Sequence, residues 1–560
     1  MLWALWALLH WTTADYVCCA VGTNISLFAG PVQQGKDHAQ WLSDLEAWRA
    51  KTTAAINFTG EIYDDPMVNW TRTSYVQPQV HVFDRYLYDA DAHQYTVEKY
   101  LNYVTERYGG IDSVMLWATY PNIGIDDRNQ WDWWRATPGG LAGITALTAA
   151  FKERGVRVLL GYNPWDTNLR DEGDTPWKTM ASVLKQTSMD GFNGDTMYTY
   201  YKDFWQAGVD LGYRFVGEME DGGYANWQGR AADQGWDSAN WNTVGWGYYF
   251  NGTYSDNITN KYWHEPGVDR AKWLDPAGRR NTHVCDRWAK HRHDAMQFAH
   301  FNGVGYEAWE NVWSIDMHFT DRDAQALKRL QLMWKWLGKS EFTQNFARWV
   351  PFAPEITSIT PAADADAAAG AGAGGGGGDG GVGGGVSSVY ASKWQRKDGV
   401  CAFTVVNRAN ASATFRLSEA AEGGGKYSDE PGNTSACAGG TVYNLYTGEV
   451  LSGVDVDIEP FGYGAVVVVP PSTDIEGLPQ LLQHMHALTH NKPLSGFSGD
   501  WAPTKQTMVG KHSSPVPPPS SSSSSSPTLG LAPSSLEDAT FALPFSAEAG
   551  LPVSCISLPP

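Results

Sequence analysis

The sequence predicts an α/β protein: a (β/α)8 TIM barrel followed by a small antiparallel β-sandwich. Three observations carry this expectation. Between about residues 76 and 355, short apolar runs alternate with amphipathic helical stretches, the pattern of a parallel sheet covered by helices. Seven to eight such units can be counted, which favours a barrel over an open sheet. Beyond a Gly/Ala-rich stretch, short β-type runs separated by Gly and Asn turns take over.

The elements follow in order. Val76–Asp84 reads as a strand and Tyr95–Gly109 as a helix. Ile111–Trp117 is the next strand, followed by a loop rich in Asp, Asn and Pro. Gly139–Gly155 is a helix that ends on Gly, where a left-handed cap costs little. Val156–Tyr162 is a strand and Pro176–Thr187 a helix. Asp190–Asp195 is a short strand, Tyr198–Leu211 a helix and Tyr213–Glu218 a strand. The poorly patterned stretch Tyr224–Leu274 must supply one further unit. His283–Phe301 then reads as helix, Gly303–Trp309 as strand and Asp321–Leu337 as a long helix. The resulting organisation is an N-terminal segment or signal over 1–30, a (β/α)8 barrel over 31–361, a Gly/Ala-rich linker over 362–385, a β-sandwich over 386–471 and a mostly disordered Pro/Ser-rich tail over 472–560.

Composition narrows the partners. The 560 residues carry 41 Lys+Arg against 61 Asp+Glu, a formal charge of −20, which argues against nucleic acid or an anionic membrane as the main partner. No apolar run reaches the roughly 18 residues that a transmembrane helix needs. There are 27 tryptophans, which serve either as core or as flat platforms for ligands with apolar faces, sugars above all. The N-terminal MLWALWALLH is a poor signal peptide without a basic start, and seven sequons lean the reading towards a secreted or secretory-lumen glycoprotein. Of six cysteines, Cys401 and Cys437 fall in one β-rich region and either bridge it or stay as buried thiols.

No cofactor is expected. Gly374–Gly378 lacks the strand before it and the Lys-Ser/Thr after it that a phosphate loop requires, and no GxSxG elbow stands out. His283, His291, His293 and His300 cluster in one helical stretch but lack zinc-ligand spacing, so no metal is expected; within it the segment CDRWAKHRHD (285–294) reads as a solvated helix whose charges reach the rim.

Functional groups of a barrel gather where strands end. Those positions yield Asp126 and Asp127 after the second strand, Asn163, Trp165 and Asp166 after the third, Asn193 and Asp195 at the fourth, Glu218 at the fifth, and Glu307, Trp309 and Glu310 at the last. Carboxylates and Trp rings converging on one rim are what glycosidic cleavage needs. Asp195 could instead cap the next helix, and Glu218 could sit in a surface ion pair. Glu307 and Glu310 flank Trp309, and in a regular strand only one of them faces the barrel axis. Glu310, nearer the loop, is preferred.

The run GYNPWD followed by DGFNGDTM resembles the retaining glycoside hydrolases of the α-galactosidase and α-glucosidase clan, in which an Asp nucleophile ends a barrel strand and a β-sandwich follows. The resemblance implies Asp195 as nucleophile. It offers no clean match for the acid/base, for which Glu218 and Glu310 are substitutes. A longer pattern, VFDRYLYD, YGGIDSVMLW, YPNIGIDDRNQ, GYNPWD, DGFNGDTM and FNGVGYEAWENVW, is similar to a group of poorly characterised barrel proteins. Some of these carry a downstream domain similar to formylglycine-generating, sulfatase-modifying enzymes. Its sequence is absent here, so the chain reads as truncated or divergent.

The expected function is therefore glycoside hydrolysis, with retention, of an oligosaccharide or glycoconjugate. Asp195 would attack, Glu218 or Glu310 would act as acid/base, and Asp126, Asp127, Asn163, Trp165, Asp166, Asn193, Glu307 and Trp309 would line the sugar subsite. The alternatives are a carbohydrate-binding barrel without turnover and an accessory module of a sulfatase-modifying-factor-type protein.

Overall fold

A computed structural model describes residues 27–119, 126–219, 244–245, 265–278, 281–282, 292–311, 319–359, 387–418 and 437–499, apart from 33, 167–169, 171, 196, 198–200, 309, 344–347, 438 and 472. After α1 (His38–Ala55), the chain alternates strands and helices: β1 (Gln79–His81), α2 (Val97–Tyr108), β2 (Ser113–Trp117), the short α3 (Gln130–Arg135), α4 (Gly140–Glu153), β3 (Arg157–Tyr162), α5 (Pro176–Thr187), β4 (Gly191–Gly194), α6 (Lys202–Asp210) and β5 (Val216–Met219). Then come β6 (Val244–Gly245), β7 (Asn281–Thr282), α7 (His293–Asn302), β8 (Gly305–Tyr306), β9 (Glu310–Asn311) and α8 (Asp321–Lys339). The expected alternation is present, with ends trimmed by a few residues.

Seven strands form one parallel sheet in the order β9-β1-β2-β3-β4-β5-β6, and β7 pairs parallel with β8. Tyr306 of β8 also bridges in parallel to Val76, just before β1, so β8 and β9 are two pieces of one strand running beside β1. Eight strand positions therefore follow one another around the sheet. Among the described residues the cylinder is not closed: β6 and β7 come within 8 Å, Cα to Cα, without pairing.

The two faces of the sheet differ by strand parity. Val80, Leu116, Leu160 and Phe192 share a core with Tyr100, Val104, Leu147, Phe151, Leu184 and Phe204 of the covering helices. Met115, Trp117, Leu159 and Val216 point the other way and meet Tyr63 and Val68 instead. Those two come from the irregular segment holding the 3-10 turns Glu61–Asp64 and Asn69–Thr73, which plugs the interior at the strand N-termini. Arg214, just before β5, pairs with Asp65 of this plug at 3.1 Å.

That interior is curled like a barrel. Val80, Leu116, Leu160, Phe192 and Gly217 are in register across β1 to β5, which puts Glu218 level with His81 along the ladder. Yet the amide of Gln77 donates to both oxygens of Glu218 at 2.9 and 2.7 Å. The contact reaches over four strand steps and lands four residues before His81. One residue of stagger per strand is the shear of an eight-stranded TIM barrel.

The expected continuous strand Gly303–Trp309 is broken. Tyr306 is opposite Val76 and Glu310 opposite Gln79, so four steps on one strand face three on the other. One extra residue makes a bulge, which shifts every later residue to the other parity.

The sandwich begins earlier than the expected boundary near residue 361, because β10 (Arg348–Pro351) and β11 (Ile356–Ser358) already belong to it. With β12 (Val389–Gln395), β13 (Cys401–Asn407), β14 (Ala413–Leu417), β15 (Thr441–Asn444), β16 (Glu449–Val450), β17 (Asp455–Ile458) and β18 (Tyr463–Val469) it forms two antiparallel sheets, β10-β12-β13-β18-β15-β16 and β11-β14-β17. Cys401 and Cys437 are joined by a disulfide across 36 residues. The larger sheet is buried on both faces, one against the small sheet and the other against α7 and α8. Every residue of α7 except Asp294 is buried, whereas the segment expected to be solvated, 285–294, lies outside the described residues but for its last three. His300 donates through Nε2 to the Gly464 carbonyl (2.9 Å) and accepts from the Trp334 indole (3.0 Å), and burial pushes it down to about 4 despite the Gly464 bond. His283 and His291 lie outside the described residues.

The last helix among the described residues, α9 (Leu478–Thr489), falls within the range read as tail. It buries Leu478, Leu481 and Met485 and packs on α8. No helix among the described residues is long and apolar enough to cross a membrane. Trp41, Trp117, Trp131, Trp134, Trp273, Trp349 and Trp394 are fully buried, so much of the tryptophan content is core.

Candidate active site

With the strand N-termini plugged, the candidate groups are those towards the strand C-termini. Along each strand the inward positions change character. Met115, Leu159, Gly191 and Val216 make an apolar floor. The next inward positions are Trp117, Gly161, Asn193 and Glu218, and above them Thr119, Asn163 and Asp195. Gly161 is required here, since a Cβ on it would lie 2.1 Å from the Trp117 ring.

Asn193 is fully buried, and neither its amide nitrogen nor its oxygen has a hydrogen-bond partner among the described residues. An unmet buried amide costs on the order of 1–3 kcal/mol, so this one stands out in the interior. Asp195 sits two residues on; its backbone N–H still bonds the Tyr162 carbonyl at 2.9 Å, so it continues the strand on the face of Asn193. It is 5 % exposed. The next helix starts at Lys202, so Asp195 does not cap it.

Glu218 is in register with Asn193 and is 0 % exposed, which removes the surface-ion-pair alternative. A buried relay holds it: Gln77 donates to Glu218, Ser113 donates to the Gln77 oxygen at 2.6 Å, and Ser74 and Ser113 hydroxyls meet at 3.0 Å.

Asn163 donates to Thr119 at 2.7 Å, and its own backbone is clamped by Gln130, which accepts from the Asn163 N–H (2.9 Å) and donates to the carbonyls of Asn163 and Asp166. The loop after β3 is thereby tied to α3, where an Asn129–Asp132 capping box starts the helix. Asp166 is buried, and burial raises its carboxyl above the ordinary carboxylate range. Trp165 beside it is 49 % exposed. Asp126 lies on an exposed turn in a bidentate pair with Arg128, whose guanidinium covers Trp133, and Asp127 is exposed next to it. Neither is joined to the interior cluster by any of these bonds.

Glu307 is buried within the bulge, and Glu310 is in ladder register with Gln79, an interior position of β1. Trp309 lies outside the described residues.

Sequence reading missed Gln77, Gln79 and His81. The signal was present: in VQPQVHV the polar residues fall on alternate positions between buried Val76, Val80 and Val82, marking a polar inward face. His81 accepts the Phe83 N–H on Nδ1 at 3.2 Å, so its proton sits on Nε2; burial holds it neutral, pushed down to about 4, against an opposing contact with the Thr119 backbone.

No family model matches this chain, and no curated protein matches it. Solved structures similar to it include a noncanonic maltogenic α-amylase from Thermotoga neapolitana (13% identity, 71% of this chain and 99% of that one, TM-score 0.40). An α-amylase from Geobacillus thermoleovorans is 11% identical over 72% of this chain and 99% of that one, with a TM-score of 0.41. A GH27 β-L-arabinopyranosidase from Geobacillus stearothermophilus is 10% identical over 73% and 99%, also at 0.41. These values are too low to carry any residue role across. The expected kinship with sulfatase-modifying-factor-type proteins finds no match.

Proposed function

We propose that the barrel interior binds a glycan through its strand C-termini and hydrolyses a glycosidic bond with retention. The observation that carries this reading is the unmet Asn193 amide, buried on the same strand face as the Asp195 carboxylate two residues on. A sugar hydroxyl both donates and accepts, and so would satisfy both ends of such an amide.

Asp195 is the nucleophile in this proposal. Glu218 positions rather than reacts, since both its oxygens are bound by Gln77 and it has no exposed surface. The proton donor is Glu310, which the bulge brings into register with an interior position of β1, three strands from β4. Asn163, Asp166 and Glu307 complete the subsite, and Trp165 and Trp309 give the sugar its apolar faces. The Cys401–Cys437 disulfide supports a secreted or secretory-lumen location.

The test is hydrolysis of aryl α- and β-glycosides and natural glycans by the parent and by Asp195→Asn. Cleavage that falls by about 10⁴-fold in the variant, with its circular dichroism unchanged, supports the assignment. Equal cleavage by both removes Asp195. Glycan binding without cleavage by either favours the binding barrel.

A further inference from the structure

Far from the barrel interior, α9 presents His486 and His490 one turn apart, with ring centroids 4.5 Å from each other. Glu449 of β16 stands against them, and one ligand atom from each of the three lies within 4.8 Å of the others. We infer that Glu449, His486 and His490 form a binding site for a divalent transition metal of the zinc class. Two imidazoles and one carboxylate suit zinc or its nitrogen-seeking neighbours and not calcium or magnesium, which take mostly oxygen ligands. All three residues are exposed, so water completes the coordination and the ion exchanges with solvent.

The surroundings are built for this approach. Gly448 has φ +77°, and a Cβ there would lie 2.1 Å from the Leu482 carbonyl and 2.5 Å from the His486 nitrogen, so only Gly lets the hairpin meet the helix this closely. The Thr447 hydroxyl donates to Glu449 Oε2 at 3.0 Å, orienting the carboxylate as an outer partner of a ligand does. Thr489 donates to the Thr447 carbonyl at 3.2 Å, tying helix to turn. On the far side the buried Arg329 donates to the carbonyls of Leu488 (3.2 Å) and Lys492 (2.6 Å), which fixes the end of α9 where both histidines sit. The backbone is thus set before any ion arrives, and the ion clips α9 to the β15–β16 hairpin.

The test uses the full chain, stripped with a chelator and titrated with Zn2+ alone by calorimetry. The parent takes up one equivalent more than His486→Ala or Glu449→Gln, or binds it at least about tenfold more tightly. Zn2+ raises the melting temperature of the parent and much less that of the variants. His484→Ala, an exposed histidine of the same helix, binds like the parent. Equal stoichiometry and affinity in the parent and a His486→Ala/His490→Ala double variant, with matching circular dichroism, overturns the inference, as does absence of uptake by the parent.

Discussion

Gln77 and Glu218 meet across the interior of the sheet, the amide donating to both carboxylate oxygens at 2.9 and 2.7 Å from four strands away. The pair reports the curl of the sheet and secures a fully buried acid in register with Asn193. Gln77→Leu keeps the volume and removes the donor, leaving a buried charge short of a partner. Its expected cost is about 2–3 kcal/mol in urea unfolding with an unchanged slope. A loss below about 0.5 kcal/mol would falsify the structural weight given to this contact.

Glu218→Gln and Glu310→Gln are expected to separate positioning from proton transfer. If Glu310 protonates the leaving group, its amide variant slows substrates with poor leaving groups by about 10²–10⁴-fold and spares activated aryl glycosides. Glu218→Gln lowers stability and affects both substrate types alike. The reverse pattern would exchange the two roles.

Gly161→Ala puts a methyl group 2.1 Å from the Trp117 ring. Trp117 is walled in on the inner face, so it cannot move aside freely, and overpacking of this kind costs about 1–3 kcal/mol. A lower melting temperature with altered tryptophan fluorescence is expected. A variant as stable as the parent would mean that the ring has another place to go.

Acid should destabilise the fold through His81 and His300. Both are held near 4 by burial against an ordinary 6.5, so both are neutral when folded and protonate first in the unfolded chain. Their contribution is present above pH 6.5 and is lost as pH falls from there towards 4, on the order of 2 kcal/mol each by pH 5. For His300 the reason is direct, because a proton on Nδ1 would face the Trp334 N–H that it now accepts. The measurement is unfolding free energy at pH 7 and 5, and His300→Gln should flatten the slope. A flat profile in the parent would rule this account out.

The disulfide gives a further check. Cys401 and Cys437 close 36 residues, and restricting a loop of that size in the unfolded chain is worth about 3–4 kcal/mol. Replacing both by Ala, or reducing the parent, should lower stability by that order. No change would mean that the unfolded chain is already compact there.

Strands and helices were legible because burial imposes a period: 3.6 on the one-sided helices α2, α5 and α6, and continuous apolar runs on β2 and β3. The same rule found α7, inside the helix expected over His283–Phe301, but not its enclosure: sandwich lies on one side and barrel on the other, and only the Gly464 and Trp334 partners show His300 to be buried. α9 itself was not legible because its partners, Arg329 and the β15–β16 turn, are distant in sequence. Asn193 and Asp195 stand out in the sequence as candidates because a polar pair ending a buried strand is locally anomalous.

By itself the sequence determined the alternation of elements, the strand ends at which polar groups gather, and the change to an antiparallel domain, since each depends on residues a few places apart. Tertiary structure alone decided which distant residues line up. Gln77 meets Glu218 only because one residue of stagger accumulates at every strand, and Glu310 reaches the register of Gln79 only because a bulge adds a residue after Tyr306. Both depend on how strands line up with distant neighbours, a quantity that hydrophobic periodicity along one strand does not encode.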